Sequence, residues 1–141
     1  RARARGGSQI DRIVERGTPP ARIFLAGFGQ GGALALAAAA AAPHALGGVA
    51  CVAGWFPPAA PGALTAPAAH LSEVPVLVMH GANDTDLPPV LANFTAARAE
   101  ARGFANVTVV ISEDANHSLG AEQDLRPFLL LPLPFPLLAA S

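Results

Sequence analysis

The segment Gly27-Phe28-Gly29-Gln30-Gly31-Gly32 constrains this chain more than any other. Immediately before it, Ile23-Phe24-Leu25-Ala26 has the branched and aromatic composition of a strand. Immediately after it, residues 33–42 are alanine and leucine alone, the strongest helix formers. The chain must therefore turn from strand into helix within the glycine run itself. In so tight a bend, side chains at Gly27 and Gly31 are expected to collide with the strand or the helix. The apex, Gly29, is expected at positive φ, a region that glycine enters at little cost.

Three more apolar runs bounded by Gly, Pro or Asn follow the first, Ile23–Phe28: Gly48–Ala53, Val76–His80 and Val107–Ile111. They are continuous rather than alternating, the pattern of strands covered on both faces. Helical stretches are predicted at Ser8–Glu15, Gln30–Ala42, Val90–Arg102 and Ala121 to about Leu129, with Pro43 ending the second. Strand and helix alternate, so the fold class is α/β with a parallel sheet of about four strands. Pro57–Pro67 holds four prolines and a glycine and reads as a loop over the C-terminal rim of the sheet, where binding sites are often capped.

At 141 residues the chain has room for one core and not for two domains. The expected division is a disordered leader at 1–8, a domain at 9–131 and a Pro-rich apolar tail at 132–141. With 52% hydrophobic and only 13% charged residues it is too apolar for a disordered segment. Its net charge of -1 offers no basic face, which argues against nucleic acid as a partner. Its single cysteine, Cys51, lies mid-strand as a small core residue and excludes an internal disulfide or a thiolate metal cluster. The tail is apolar, but Pro132, Pro134 and Pro136 interrupt it and the run falls short of the ~20 residues needed to span a bilayer, so no membrane span is expected. The opening Arg1-Ala2-Arg3-Ala4-Arg5 lacks an apolar targeting stretch, and a cytoplasmic location is the expectation.

The glycine bend has the form of the nucleophile elbow, Gly-x-Ser-x-Gly, with Gly29 at the nucleophile position. Downstream, His80-Gly81-Ala82-Asn83-Asp84 closes one strand and Asp114-Ala115-Asn116-His117-Ser118 follows the next. Nucleophile, acid, histidine is the chain order of the triad in α/β-hydrolases. Asp86 is a second candidate acid. His80 is expected to stabilise the turn after its strand, His44 and His70 to be solvated loop residues, and Asn83 and Asn116 to be turn formers. Ser118 cannot replace the missing hydroxyl, since no tight elbow holds it. Asp84, Asp86, His80 and His117 form no compact metal-ligand motif, and neither a metal nor another cofactor is expected.

Arg22-Ile-Phe-Leu-Ala-Gly-Phe-Gly-Gln-Gly-Gly-Ala-Leu34 resembles the elbow signature R-I-x-L-x-G-F-S-Q-G-G-A-L of the phospholipase/carboxylesterase family of α/β-hydrolases, which includes acyl-protein thioesterases and lysophospholipases. Gly54-Trp55 with Pro57, and Val74-Pro75-Val76-Leu77-Val78-Met79-His80-Gly81 leading to Asp84, are further matches. The resemblance implies a partial α/β-hydrolase fold, with further strands upstream of the elbow that would precede Arg1. It implies hydrolysis of small-molecule or protein-linked acyl esters or thioesters, with Asp84 as the acid that orients the imidazole and His117 as the base. The N–H of Gln30 would donate to the oxyanion. Gly29 departs from the pattern, and the chain is expected to be catalytically impaired or inactive. The alternatives are a non-catalytic acyl-binding pseudoenzyme or a non-functional gene fragment.

Overall fold

The computed structural model describes residues 2–58 and 67–117, with side chains from residue 9 onward. Helix α1 (Ala2–Glu15) leads into a 3-10 turn (Pro20–Arg22) and strand β1 (Phe24–Phe28), followed by α2 (Gln30–Ala41) and β2 (Gly48–Val52). A second 3-10 turn (Ala69–Glu73), β3 (Pro75–Gly81), α3 (Val90–Arg102) and β4 (Asn106–Ser112) complete the order. The four strands form one sheet in the order β1-β2-β3-β4, every pair parallel. This is the α/β architecture that the alternating runs predict. Residues 59–66, the expected helix at 121–129, Ser118 and the Pro-rich tail lie outside the described residues.

Element boundaries differ from the sequence reading for local reasons. β2 stops at Val52 because Ala53 turns the chain at φ 48, a conformation rare for a residue with a side chain. α1 begins at Ala2 rather than Ser8, because the Ala-Arg repeat is a good helix former and carries the helix through the stretch read as a leader.

The sheet is covered unevenly. β2 and β3 are buried almost residue by residue, which their continuous apolar runs imply. β1 and β4, each with one neighbouring strand among the described residues, instead alternate between exposed and partly buried positions, one face less covered than the other. One core joins α1, α2 and α3 to the row Val49, Cys51, Val76 and Val78, with Leu36, Leu71, Val74 and Phe104 among its fully buried members. The small side chains of α2 let that helix lie against β1 and β2: Ala33, Ala35 and Ala39 are all buried. Truncating Phe104 to alanine would cost about 3–5 kcal/mol. Among the described residues, no helix is long and apolar enough to cross a membrane.

Candidate active site

The parallel sheet places the ends of β1, β3 and β4 along one rim, and the three sequence-predicted positions sit there. At the first, β1 ends at Phe28, Gly29 turns the chain at φ 55 and ψ -122, and α2 starts at Gln30. Three hydrogen bonds fix the bend: the N–H of Gly29 donates to the carbonyl of Val52 (2.9 Å), while the carbonyl of Gly29 accepts from the N–H groups of Gly32 (3.0 Å) and Ala33 (3.2 Å). A Cβ on Gly27 would lie 2.1 Å from the backbone carbonyl of Gly31, so strand and helix meet there with no space for a side chain. The same does not hold for Gly31, whose Cβ direction is open. The crowding falls on Gly27, which faces α2 from the strand, and on Gly32, which faces the sheet from the helix and whose Cβ would stand 2.8 Å from Cys51 Sγ. A Cβ on Gly29 would meet nothing within 4 Å. The apex therefore has room for a side chain it does not carry. Gln30 opens α2, and its N–H, like that of Gly31, has no partner within the helix and attracts negative charge.

At the second position, Asp84 follows β3 in a turn that buries its carboxylate completely. Oδ1 accepts the N–H groups of Leu87 (2.7 Å) and Asp86 (2.9 Å), and Oδ2 accepts Nδ1–H of His117 (2.7 Å). Burial pushes this carboxyl up, but the bonds from Leu87, His117 and Asp86, with the attraction of His117, outweigh it and hold the group below the usual carboxylate range. Of the two candidate acids, Asp84 makes the bond to the imidazole. Asp86 contributes its backbone N–H.

The third position hangs on a loop stitched to the acid turn. The N–H of Ala82 donates to the carbonyl of Ser112 (2.8 Å), that of Asn83 to Ala115 (3.0 Å), and the Asn83 side-chain amide to Glu113 (2.9 Å). His117 projects from this loop with its Nδ1 on Asp84 and its ring against Phe28, centroids 5.0 Å apart and planes tilted by 50°. Phe28 immediately precedes Gly29, so the imidazole stands beside the elbow. With the proton on Nδ1, Nε2 is left as the acceptor.

The remaining titratable groups sort as follows. His80 is 1% exposed and its Nε2 lies 2.9 Å from the carbonyl of Leu87, the turn-bracing contact expected of it. Its additional approach to Asp84 Oδ2, at 3.2 Å, was not legible in the sequence, except in the spacing of four that brings a strand-end residue over the turn it enters. His70 is half-buried and its ring Nε2 bonds the carbonyl of Ala42 at 2.9 Å, because the 3-10 turn packs on the end of α2; it is not simply solvated. Cys51 is fully buried, and burial, offset in part by the N–H of Gly54, pushes its thiol up to about 12. Ligand-capable atoms of Asp84, Asp86 and His117 lie within 4.8 Å of one another, which corrects the expectation of no compact set among these residues. Asp84 Oδ2 is already the acceptor for His117, so the group is a hydrogen-bonded pair with an acid alongside.

Residues 6–128 match the family model described as Phospholipase/Carboxylesterase. The carboxylesterase SOBER1 of Arabidopsis thaliana is 37% identical over 75 residues, 53% of this chain and 32% of its own length. A probable inactive carboxylesterase of Oryza sativa subsp. japonica is 36% identical over 81 residues, 57% of this chain and 33% of its own. The crystal structure of SOBER1 superimposes with a TM-score of 0.69 at 25% identity, covering 89% of this chain and 59% of that one. Acyl-protein thioesterase 2 of Zea mays shares the fold, with a TM-score of 0.71 at 20% identity over 90% of this chain and 61% of that one. The matches thus span about a third of the two curated relatives and under two thirds of either structure. With a family model matched over most of its length, the chain belongs to the phospholipase/carboxylesterase family.

Proposed function

We propose that this chain carries the acyl-ester or thioester site of its family with the acid and the histidine in place and the nucleophile lost, so that it forms no acyl-enzyme. One observation carries the reading: the 2.7 Å bond from His117 to Asp84 beside an elbow whose apex, Gly29, has no side chain. With a hydroxyl at the apex, Nε2 of His117 would take its proton as the oxygen attacked the acyl carbonyl. Asp84 would stabilise the resulting imidazolium, and the N–H of Gln30 would meet the developing oxyanion. The imidazolium would then return the proton to the departing alcohol or thiol.

Glycine removes the first of these steps. What the remaining groups can do is activate water in the open space at Gly29: Nε2 takes a proton from the water, its oxygen bonds the acyl carbon, the ester bond breaks, and the proton passes to the leaving group. Deleting a triad serine costs on the order of 10⁶ in turnover, with roughly 10³–10⁴ over the uncatalysed reaction left from positioning and the oxyanion site. A short-chain aryl ester assay tests this: slow, linear release with no burst is expected. A burst equal to the protein concentration would show an acyl-enzyme and refute the reading.

A second reading, acyl binding without turnover, is favoured by the similarity to a relative whose own name is that of a probable inactive carboxylesterase. Calorimetry with a non-hydrolysable acyl thioether separates the two, since binding without ester release selects the second and release selects the first.

A further inference from the structure

His80 is the one buried polar side chain among the described residues with a ring nitrogen lacking any partner, and its other nitrogen bonds the carbonyl of Leu87 beside the acid. Nε2 lies between two oxygens, the carbonyl of Leu87 at 2.9 Å and Asp84 Oδ2 at 3.2 Å. Both are acceptors, so the fitting tautomer has its proton on Nε2, shared between them, and a bare lone pair on Nδ1. Among the described residues no donor reaches that lone pair, although the side chain is fully buried. An orphaned acceptor in the core costs free energy. The residue is held here in spite of that cost, with its other nitrogen between the Leu87 carbonyl and the carboxylate.

We infer that His80 is a positioning residue for the acid–histidine pair: its Nε2–H occupies the second acceptor site on Asp84 Oδ2 and so fixes the carboxylate in the orientation that binds Nδ1 of His117. Oδ1 takes the N–H groups of Leu87 and Asp86 and Oδ2 takes Nδ1–H of His117, while His80 Nε2 at 3.2 Å stands against the remaining side of Oδ2. A carboxylate held by one turn at Oδ1 alone can still swing Oδ2 about its side-chain torsion. The ring from β3 blocks that swing. The same nitrogen holds the carbonyl of Leu87, whose own N–H binds Oδ1, so His80 clamps both the carboxylate and the turn that presents it. The inference rests on the proposal that Asp84 and His117 act as a pair.

The test is imidazole NMR on the ¹⁵N-labelled chain, which needs no ester turnover. His80 is expected as the Nε2-protonated tautomer; an Nδ1-protonated ring would overturn the inference. Solvent exchange of the His117 Nδ1 proton is the second readout. His80→Met keeps the bulk and removes the donor, and should speed this exchange at least about tenfold, the loss of one hydrogen bond to a charged acceptor. His80→Gln places an amide N–H near the lost Nε2 and should restore exchange to within about threefold of the parent, whereas His80→Asn, too short, should not. If Met and Gln variants melt alike and exchange alike, His80 is packing only and the inference fails. If His80→Met does not fold, the parent's tautomer and the Gln–Asn comparison decide. Absence of a hydrogen-bonded His117 Nδ1 proton in the parent would instead refute the acid–histidine pair and with it the proposed function.

Discussion

Gly29→Ser supplies a hydroxyl at the elbow, where the structure leaves room for one. No atom lies within 4 Å of a Cβ at this position, so the substitution has no steric cost. It has a conformational one. At φ 55 and ψ -122 a residue with a side chain is strained by about 1–3 kcal/mol. In a chain of this size each kcal/mol lowers the melting temperature by roughly 3–6 °C, and that decrease should be measurable. The gain in turnover is bounded by the roughly 10⁶-fold cost of deleting a triad serine. Allowing about 10²–10³ for an oxyanion site in which the N–H of Gln30 is the one donor proposed among the described residues, the increase expected is about 10³–10⁴ over the glycine chain. Gly29→Ala is the control, carrying the same strain without the oxygen. The assay is aryl-ester hydrolysis with fluorophosphonate labelling followed by peptide mass spectrometry, in which Gly29→Ser should take one label at residue 29 and Gly29→Ala none. A folded serine variant that neither labels nor exceeds the alanine control would refute the placement of His117 beside the elbow.

Gly27→Ala should destabilise by about 3 kcal/mol or more in urea melts, since its methyl would press on the backbone of Gly31 rather than on a movable side chain. Gly31→Ala, in open space within α2, should range from neutral to about 1 kcal/mol stabilising. The carboxyl of Asp84 is held low in the folded chain, so its contribution to stability is complete above the unfolded carboxyl value of about 4 and is lost as pH falls through the lower folded value. Thermal melts between pH 6 and pH 2 should therefore decline more steeply for the parent than for Asp84→Asn; equal slopes would contradict the assignment. Cys51, buried and with its thiol pushed up to about 12, should resist alkylation in the native chain and react only on unfolding.

Much of the site was legible because its geometry is written in local chemistry. A strand cannot enter a helix as abruptly as Ile23 to Ala33 does without glycines, and the order Gly29, Asp84, His117 places each position at the end of a strand. What escaped the sequence depends on contacts between elements. Both Gly27 and Gly31 flank the bend, yet only the first faces the approaching backbone, and which does is decided by helix rotation. His80 meets Asp84 where the chain has left β3 for a turn, so the contact depends on the path of that turn and not on the spacing of four alone. The contact of Phe28 with His117 joins residues 89 apart in sequence and exists because the parallel strands share a rim. Edge exposure in β1 and β4 follows from strand order, which apolar runs do not encode.

The central claim is that His117, anchored by Asp84, stands at the elbow. Nuclear Overhauser contacts between the His117 ring and the Phe28 ring test it most directly. With centroids 5.0 Å apart, clear cross-peaks between the two rings are predicted in the folded parent chain. Their absence, with His117 instead contacting side chains of the buried core such as Phe104, would contradict it.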